Sequence, residues 1–266
     1  MKISVIIPSY KPQGYIWECL DSLYNQTLAK DKYEVILVLN GCCEPYKSKI
    51  NEWIGVHVDL NINFIQTDQG GVSNARNIAL DVVRGKFVTF IDDDDYISES
   101  YLELLLKKAD EKKVILSDVY AFNDGNRNRT PYRISNVYDN LSRNGVQHFV
   151  KAWKYFAGPC YKLIPMSVID KRRYNPSFAI GEDTLFMFQI SDKIKYIDFS
   201  EPLALYYRRI RNGSAMTQKR DRKKIIFNEI RLLISMIKIY IPSFWRYNFR
   251  FLILNVLSVF HGILKA

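Results

Sequence analysis

The chain has 266 residues, enough for one core or one domain with an appendage, and 48% hydrophobic with 25% charged residues excludes a disordered polymer. No run reaches the ~18 uninterrupted apolar residues of a membrane span. Four cysteines without metal spacing, and no leader before the first strand, give the expectation of a reducing cytosol. The net charge of +10 is uneven: thirteen of the 38 Lys and Arg, against two of the 28 Asp and Glu, lie from Leu205 onward, leaving 25 basic and 26 acidic residues before it. The basicity belongs to the C-terminal quarter, and no nucleic-acid motif accompanies it, so no nucleic-acid partner is expected.

In chain order, Lys2–Ile7 reads as a strand closed by Pro8-Ser9-Tyr10. Ile16, Leu20 and Leu23 recur at helical spacing up to Gln26. Glu34–Leu39 is a continuous apolar strand broken by Asn40-Gly41, and Ile62–Gln66 is a third. Ser73 is expected to cap a helix with Ala75, Ile78, Ala79 and Val82 on one face, stopped by Gly85. The strand Lys86–Ile91 then delivers four aspartates, Asp92–Asp95. A helix over 99–111, a single strand Lys113–Phe122 and a polar loop Asn123–Arg133 follow, with helices and short strands from Gln147 to Arg209. Apolar strands alternating with helices predict an α/β fold with a mostly parallel sheet covered on both faces.

The aspartates carry the chemistry. Ligands bind open α/β sheets at the carboxyl ends of the strands, and carboxylates crowd there only where something offsets their repulsion. A divalent cation with a phosphate ligand does so, and an acidic surface turn in which Asp95 or Ser98 caps the next helix is the alternative. Gly181-Glu182-Asp183 precedes Leu185, Phe186 and Phe188, so its carboxylates suit either a general base beside apolar groups or the acidic first turn of a helix. Gly70-Gly71-Val72-Ser73-Asn74-Ala75-Arg76 could present amides and a guanidinium to an anion. Arg208, Arg209 and Arg211, near Gly213, could clamp a diphosphate or begin a solvated basic tail. His57, His148 and His261 show no catalytic spacing.

Five of these elements, in order, resemble glycosyltransferase family 2: Pro8-Ser9-Tyr10, Leu39-Asn40-Gly41, Val72–Asn77, Phe90–Asp95 and Gly181–Phe186. The resemblance covers residues 1–215 and implies a GT-A (Rossmann-like) fold, with a nucleotide half over 1–112 and an acceptor half over 113–215. It implies inverting, Mn²⁺- or Mg²⁺-assisted transfer of a hexosyl or N-acetylhexosaminyl group from a UDP-linked sugar to a glycan or lipid-linked acceptor, as in surface polysaccharide synthesis. Pro8, Ser9 and Tyr10 would line the nucleotide cleft, Asn40 the base, Arg76 the nucleotide and Asp92 the ribose. Asp93 would share the cation or point away, and Asp94 would bind the metal. Asp183 would be the base, supported by Glu182, while Tyr207, Arg208, Arg209 and Ser214 would lie on a loop closing over the diphosphate. Where many members carry Asp-Asp-Gly-Ser, this chain has Leu39-Asn40-Gly41-Cys42, so no carboxylate is available there. Two other readings stand beside this one. A sugar-nucleotide nucleotidyltransferase would want a glycine-rich basic signature that Pro8–Gly14 lacks, and an inactive nucleotide-binding scaffold would not need the intact carboxylates.

Residues 216–266 form a separate basic segment. Ile226, Ile230, Leu233 and Ile237 mark one face of a helix over Arg222–Ile241, with Lys224, Asn228, Arg231, Ser235 and Lys238 opposite. A second apolar segment spans Phe244–Leu264. Such helices either pack on the domain or another subunit, or anchor residues 222–264 at a membrane surface, here the cytoplasmic face.

Overall fold

The computed structural model describes residues 1–126, 128–211 and 221–265. Residues 1–112 alternate strands and helices as expected. Strands β1 (Ile3–Ser9), β2 (Tyr33–Asn40), β3 (Ile62–Thr67) and β4 (Phe87–Phe90) are joined through helices α1 (Tyr15–Tyr24), α2 (Tyr46–Val56) and α3 (Val72–Asp81). Next come β5 (Tyr96–Ile97), α4 (Tyr101–Lys108), β6 (Lys113–Leu116), β7 (Asp118–Asn123), β8 (Thr130–Pro131), α5 (Ser135–Leu141) and β9 (Gln147–His148). The acceptor side is completed by β10 (Lys162–Pro165), α6 (Met166–Ile169), α7 (Glu182–Ile190), β11 (Tyr196–Phe199) and β12 (Leu205–Ile210), before α8 (Arg222–Tyr240) and α9 (Phe249–Lys265).

The main sheet has eight strands in the order β3-β2-β1-β4-β10-β6-β11-β9. The first four are mutually parallel, β10 runs antiparallel to both neighbours, and β11 returns parallel to β6. Every residue of β1 and β2 is buried, as a strand covered on both faces requires. The chain folds as a GT-A α/β domain.

Three local expectations are corrected, and one helix is added. The run Lys113–Phe122 is two strands, because the chain passes at Ser117 from the main sheet into a second sheet of order β5-β12-β7-β8. Ser117 marks the crossing, donating its backbone N–H to the Tyr161 carbonyl at 3.0 Å and accepting from Tyr155 Oη at 3.0 Å. Part of the polar loop after it pairs as β8 with β7. Helix α2 carries no strong apolar periodicity and buries only Ile50, which is why its sequence gives little signal. Ser73 does not cap α3. The helix starts at Val72 behind Gly71, whose φ of 113° is a glycine conformation, and the Ser73 hydroxyl is buried in the first turn.

The C-terminal helices turn an unexpected side to the domain. On α8, Leu232 and Met236 are buried, Asn228 donates to the Ile180 carbonyl at 3.0 Å, and Arg231 reaches the Ser177 carbonyl at 3.3 Å. The outward face is apolar, formed by Phe227, Ile230, Ile234, Ile237 and Ile241 at helical spacing. Helix α9 inserts Phe251 among Phe149, Phe156 and Phe188 and turns Phe249, Ile253, Leu257, Phe260 and Leu264 outward.

Beneath the sheet, at the end remote from the aspartates, Glu34 is fully buried. It accepts from Ser4 Oγ at 2.5 Å, from the Arg84 N–H at 2.8 Å and from Arg84 Nε at 2.7 Å, and these bonds together hold its carboxyl below the ordinary range despite the burial. Gly85 packs into the same corner, where a Cβ would lie 2.6 Å from the Ser4 nitrogen. We expect Gly85→Ala to lower stability by about 1–3 kcal/mol through overpacking against backbone. Urea denaturation checks this, and an unchanged midpoint would refute the tight corner.

Candidate active site

Ser9, Asn40 and Asp92 stand at or just beyond the carboxyl ends of β1, β2 and β4, so three adjacent parallel strands deliver one cleft. Pro8 lies within β1, and Tyr10 follows it as an exposed side chain. Asn40 is buried and ties loops together: its Nδ2 donates to the Ser9 carbonyl at 2.7 Å, and its Oδ1 accepts from Gly71 N at 2.9 Å. The loops after β2 and β3 meet there because position 41 is glycine, since a Cβ on Gly41 would lie 2.9 Å from the Gly70 Cα. Asn40 thus shapes the turn where a base could sit.

The four aspartates take four different roles. Asp92 keeps 47% of its side chain exposed and receives Arg76 Nη2 at 3.2 Å. Asp93 is buried and accepts from Ser9 Oγ at 2.5 Å; burial and the neighbouring Asp94 push its carboxyl up to about 7. Asp94 accepts from Arg211 Nε at 2.5 Å, and burial together with Asp92 still raises its affinity for a proton. Asp95 is structural. It accepts from Tyr206 Oη and from the Arg209 N–H, both at 2.7 Å, while Tyr206 Oη also accepts from the Asp92 N–H at 3.2 Å. Asp95 does not cap α4; it fastens the acidic turn to β12.

Arg208 and Arg209 lie on β12, between β5 and β7, and not on a loop. The run Leu205-Tyr206-Tyr207 buries its aromatic rings in the second sheet and carries the arginines into the ladder with it. Arg208 donates to the Tyr132 hydroxyl. Arg209 is clamped by the Asp94 carbonyl at 2.8 Å, Asp124 at 2.7 Å and Glu18 at 2.6 Å. Tyr207 stacks on Tyr96. Ser214 lies outside the described residues.

Arg76 joins the two acidic motifs. Only 3% exposed, it places Nη1 2.6 Å from Asp183 Oδ1 and 3.8 Å from Glu182 Oε1, with Nη2 on Asp92. Its neighbour Asn77 brackets Tyr174 by two backbone hydrogen bonds of 2.9 and 2.7 Å, and the Tyr174 ring stacks on Phe186 at 3.9 Å. Helix α3 therefore spans from the nucleotide side to the acceptor side. Glu182 and Asp183 open α7 behind Gly181, which is left-handed at φ 82°. Burial pushes both carboxyls up, Glu182 to about 7 with Asp183 contributing; for Asp183, burial outweighs the adjacent Arg76. Asp183 keeps 28% of its side chain exposed, so a substrate can reach it.

Several contributing residues gave no clear signal in the sequence. Tyr206 and Tyr174 work through partners distant in the chain. Lys162 is fully buried, its amine pushed down to about 7 by burial, and donates to the carbonyls of Gly158 at 2.6 Å and Cys160 at 2.7 Å. It thereby holds the strip beside Asp183, whose Oδ2 would lie 3.9 Å from a Cβ on Gly158.

No three Asp, Glu, His or Cys side chains converge as a metal cage among the described residues. The donor set nonetheless fits a hard cation. It consists of carboxylate oxygens, of which those of Asp92 keep exposed surface, while Asp94 is paired with Arg211 and keeps less.

An acidic turn after β4 is thus bridged by Arg76 to a second acidic pair, Glu182 and Asp183. The sequence model described as glycosyl transferase family 2 matches residues 4–173, and the chain belongs to that family. It is 30% identical over 225 residues to the glycosyltransferase GlyA of Streptococcus pneumoniae, covering 80% of this chain and 31% of that protein. It is 38% identical over 103 residues to the poly(ribitol-phosphate) beta-N-acetylglucosaminyltransferase TarS of Staphylococcus aureus, covering 39% of this chain and 18% of TarS. The crystal structure of TarS 1–349 with UDP-GlcNAc has the same fold, at a TM-score of 0.74 and 22% identity, covering 100% of this chain and 73% of that one. So does the mannosyltransferase PcManGT from Pyrobaculum calidifontis, solved with GDP-Man and Mn²⁺, at 0.64 and 17%, covering 100% and 74%. The chain spans between 28% and 37% of the length of the relatives GlyA, the Bacillus spizizenii poly(ribitol-phosphate) beta-glucosyltransferase and GgaB.

The Arg76 bridge generates a stability prediction. Breaking a buried ion pair typically costs about 3–5 kcal/mol. We expect Arg76→Met to destabilise by that order at pH 8. Glu182 and Asp183 already have raised proton affinity in the fold, and losing their cation raises it further, so the penalty exists where they are ionised and shrinks as pH falls. Thermal denaturation at pH 8 and pH 5.5 checks this; an equal deficit at both would argue against the bridge.

Proposed function

We propose that the chain is an inverting, metal-assisted glycosyltransferase. It moves a hexosyl or N-acetylhexosaminyl group from a UDP-linked sugar to a hydroxyl of a glycan or lipid-linked acceptor in surface polysaccharide synthesis. The observation that carries this reading is the Asp92–Arg76–Asp183 bridge, which sets a partly exposed carboxylate of raised proton affinity beside the acidic turn of the donor side. The UDP-GlcNAc bound by TarS, and the polymer named as TarS's acceptor, support the choice of donor and acceptor classes.

In this reading Asp183 takes the proton of the acceptor hydroxyl as its oxygen bonds to the anomeric carbon. The bond from that carbon to the diphosphate breaks on the opposite face, and the electron pair leaves on the phosphate oxygen. One displacement needs no protein nucleophile and inverts the centre. Glu182, whose own carboxyl is pushed up partly by Asp183, adds negative charge beside the base and so strengthens its hold on the acceptor proton. Pro8, Ser9, Tyr10 and Asn40 shape the nucleotide cleft, and Arg76 holds Asp92 and Asp183 at a fixed separation. Mn²⁺ or Mg²⁺ held at Asp94, with Asp92 beside it, would supply positive charge to the departing diphosphate. Residues 222–264 would keep the enzyme at the cytoplasmic face of the membrane. The scaffold alternative gains no support, because the residues a transferase needs are intact and brought together.

Two measurements test this. Asp183→Asn is expected to cut sugar transfer by about 10²–10⁴-fold, the range for a lost general base, with nucleotide binding retained; transfer at the wild-type rate would assign the base elsewhere. By calorimetry, UDP should bind more tightly with Mn²⁺ than without, and Asp94→Ala should remove most of that increment. Metal-independent binding in the wild type would remove the cation from the reading.

A further inference from the structure

The outward faces of α8 and α9 have no occupant in the fold. The helices pack antiparallel, since Gly262 near the end of α9 lies against Glu229 near the start of α8. Each turns a stripe of five large apolar side chains outward, between 39% and 81% exposed. Trp245, in the connection between them, is 71% exposed. An exposed apolar surface of this extent marks a contact site.

Three observations say what covers it. Between residues 222 and 264 there are seven Lys and Arg against one Glu. Lys223 continues the α8 stripe one turn before Phe227, while Lys238, Arg246 and Arg250 are exposed beside the stripes, so apolar and cationic surface lie together. Second, the exposed apolar surface includes the rings of Phe227, Phe244, Trp245, Phe249 and Phe260, and aromatic rings favour a boundary between water and hydrocarbon. Third, a second copy would bring a like charge excess against this one, whereas an anionic surface complements it. No helix among the described residues is long and apolar enough to cross a membrane.

We infer that the α8–α9 hairpin lies with its outward face in the surface of an anionic lipid bilayer, making contact along the sides of the helices. The same hairpin braces the acceptor side of the site. Leu232 of α8 packs where a Cβ on Gly181 would lie 3.1 Å away, and Asn228 and Arg231 bond to the loop at 177–180 that leads into Glu182 and Asp183. The lipid surface therefore meets the protein beside the base. An acceptor anchored in that surface would reach Asp183 by diffusing in two dimensions; this last consequence rests on the transferase reading, while the lipid contact does not.

The test is flotation of the full chain with vesicles of phosphatidylglycerol and, separately, of phosphatidylcholine. We expect binding to the anionic vesicles, weakening as NaCl is raised, and little binding to the neutral ones. The triple variant Phe227→Ser, Ile234→Ser, Leu257→Ser removes only outward side chains and should keep the wild-type circular dichroism and UDP affinity. It is expected to bind anionic vesicles at least tenfold more weakly. No binding of the wild type to anionic vesicles, or undiminished binding of the variant, would overturn the inference. So would a dimer, seen by light scattering without vesicles, that the variant dissolves, since the face would then belong to a second copy. Loss of UDP binding in the wild type would strike the transferase reading alone.

Discussion

Arg76 lies almost fully buried between Asp92, Glu182 and Asp183, and the arrangement of the cleft depends on its staying there. Carboxylates withdrawn from water repel one another and favour the protonated form, and a guanidinium with fixed, planar donors can offset several at once where an ammonium could satisfy fewer. Here it does so for two acidic motifs far apart in the chain. The compensation is incomplete, because burial leaves Glu182 and Asp183 above the ordinary carboxylate range. Burial is thus what raises the basic strength of these carboxylates.

The acidic turn shows the same physics. Four adjacent aspartates survive side by side because each is assigned a separate partner: Arg76 for Asp92, Ser9 for Asp93, Arg211 for Asp94, and Tyr206 with the Arg209 backbone for Asp95. Two of these partners come from β12 and one from just beyond it, so the second sheet acts as a clamp on the loop that follows β4. The arginines of β12 serve the protein's own carboxylates and rings, with Arg209 enclosed by Asp124, Glu18 and the Asp94 carbonyl. The pairings with Arg76 and Arg211 are charge-assisted, and all of them tie the turn to other elements of the fold.

The C-terminal hairpin reverses the usual assignment of faces. Helix α8 uses Asn228, Arg231 and Leu232 to brace the loop before Asp183, and leaves its isoleucines outward. Helix α9 is held by the Phe251 ring among Phe149, Phe156 and Phe188. The packing of the domain is thereby met with few apolar side chains, and the remainder are free for a surface outside the molecule.

What the sequence determined by itself was local. The continuous apolar runs Lys2–Ile7 and Glu34–Leu39 read as buried strands, and Asp92–Asp95 directly after such a run pointed to a strand-end cleft, with an acidic surface turn as the alternative, because strand period and burial are properties of neighbours in the chain. The order of Pro8–Tyr10, Asn40-Gly41, the aspartates and Glu182-Asp183 was sufficient to indicate the family. Only the tertiary structure decided partners. That Arg76 bridges rather than stands free, that Lys113–Phe122 divides between two sheets at Ser117, that Arg208 and Arg209 belong to a strand, and which side of α8 faces inward all depend on contacts between residues far apart in sequence. A helix with apolar groups on more than one side has no preferred inner face until another surface is placed against it, and an arginine has no partner until the fold has brought the carboxylates to it.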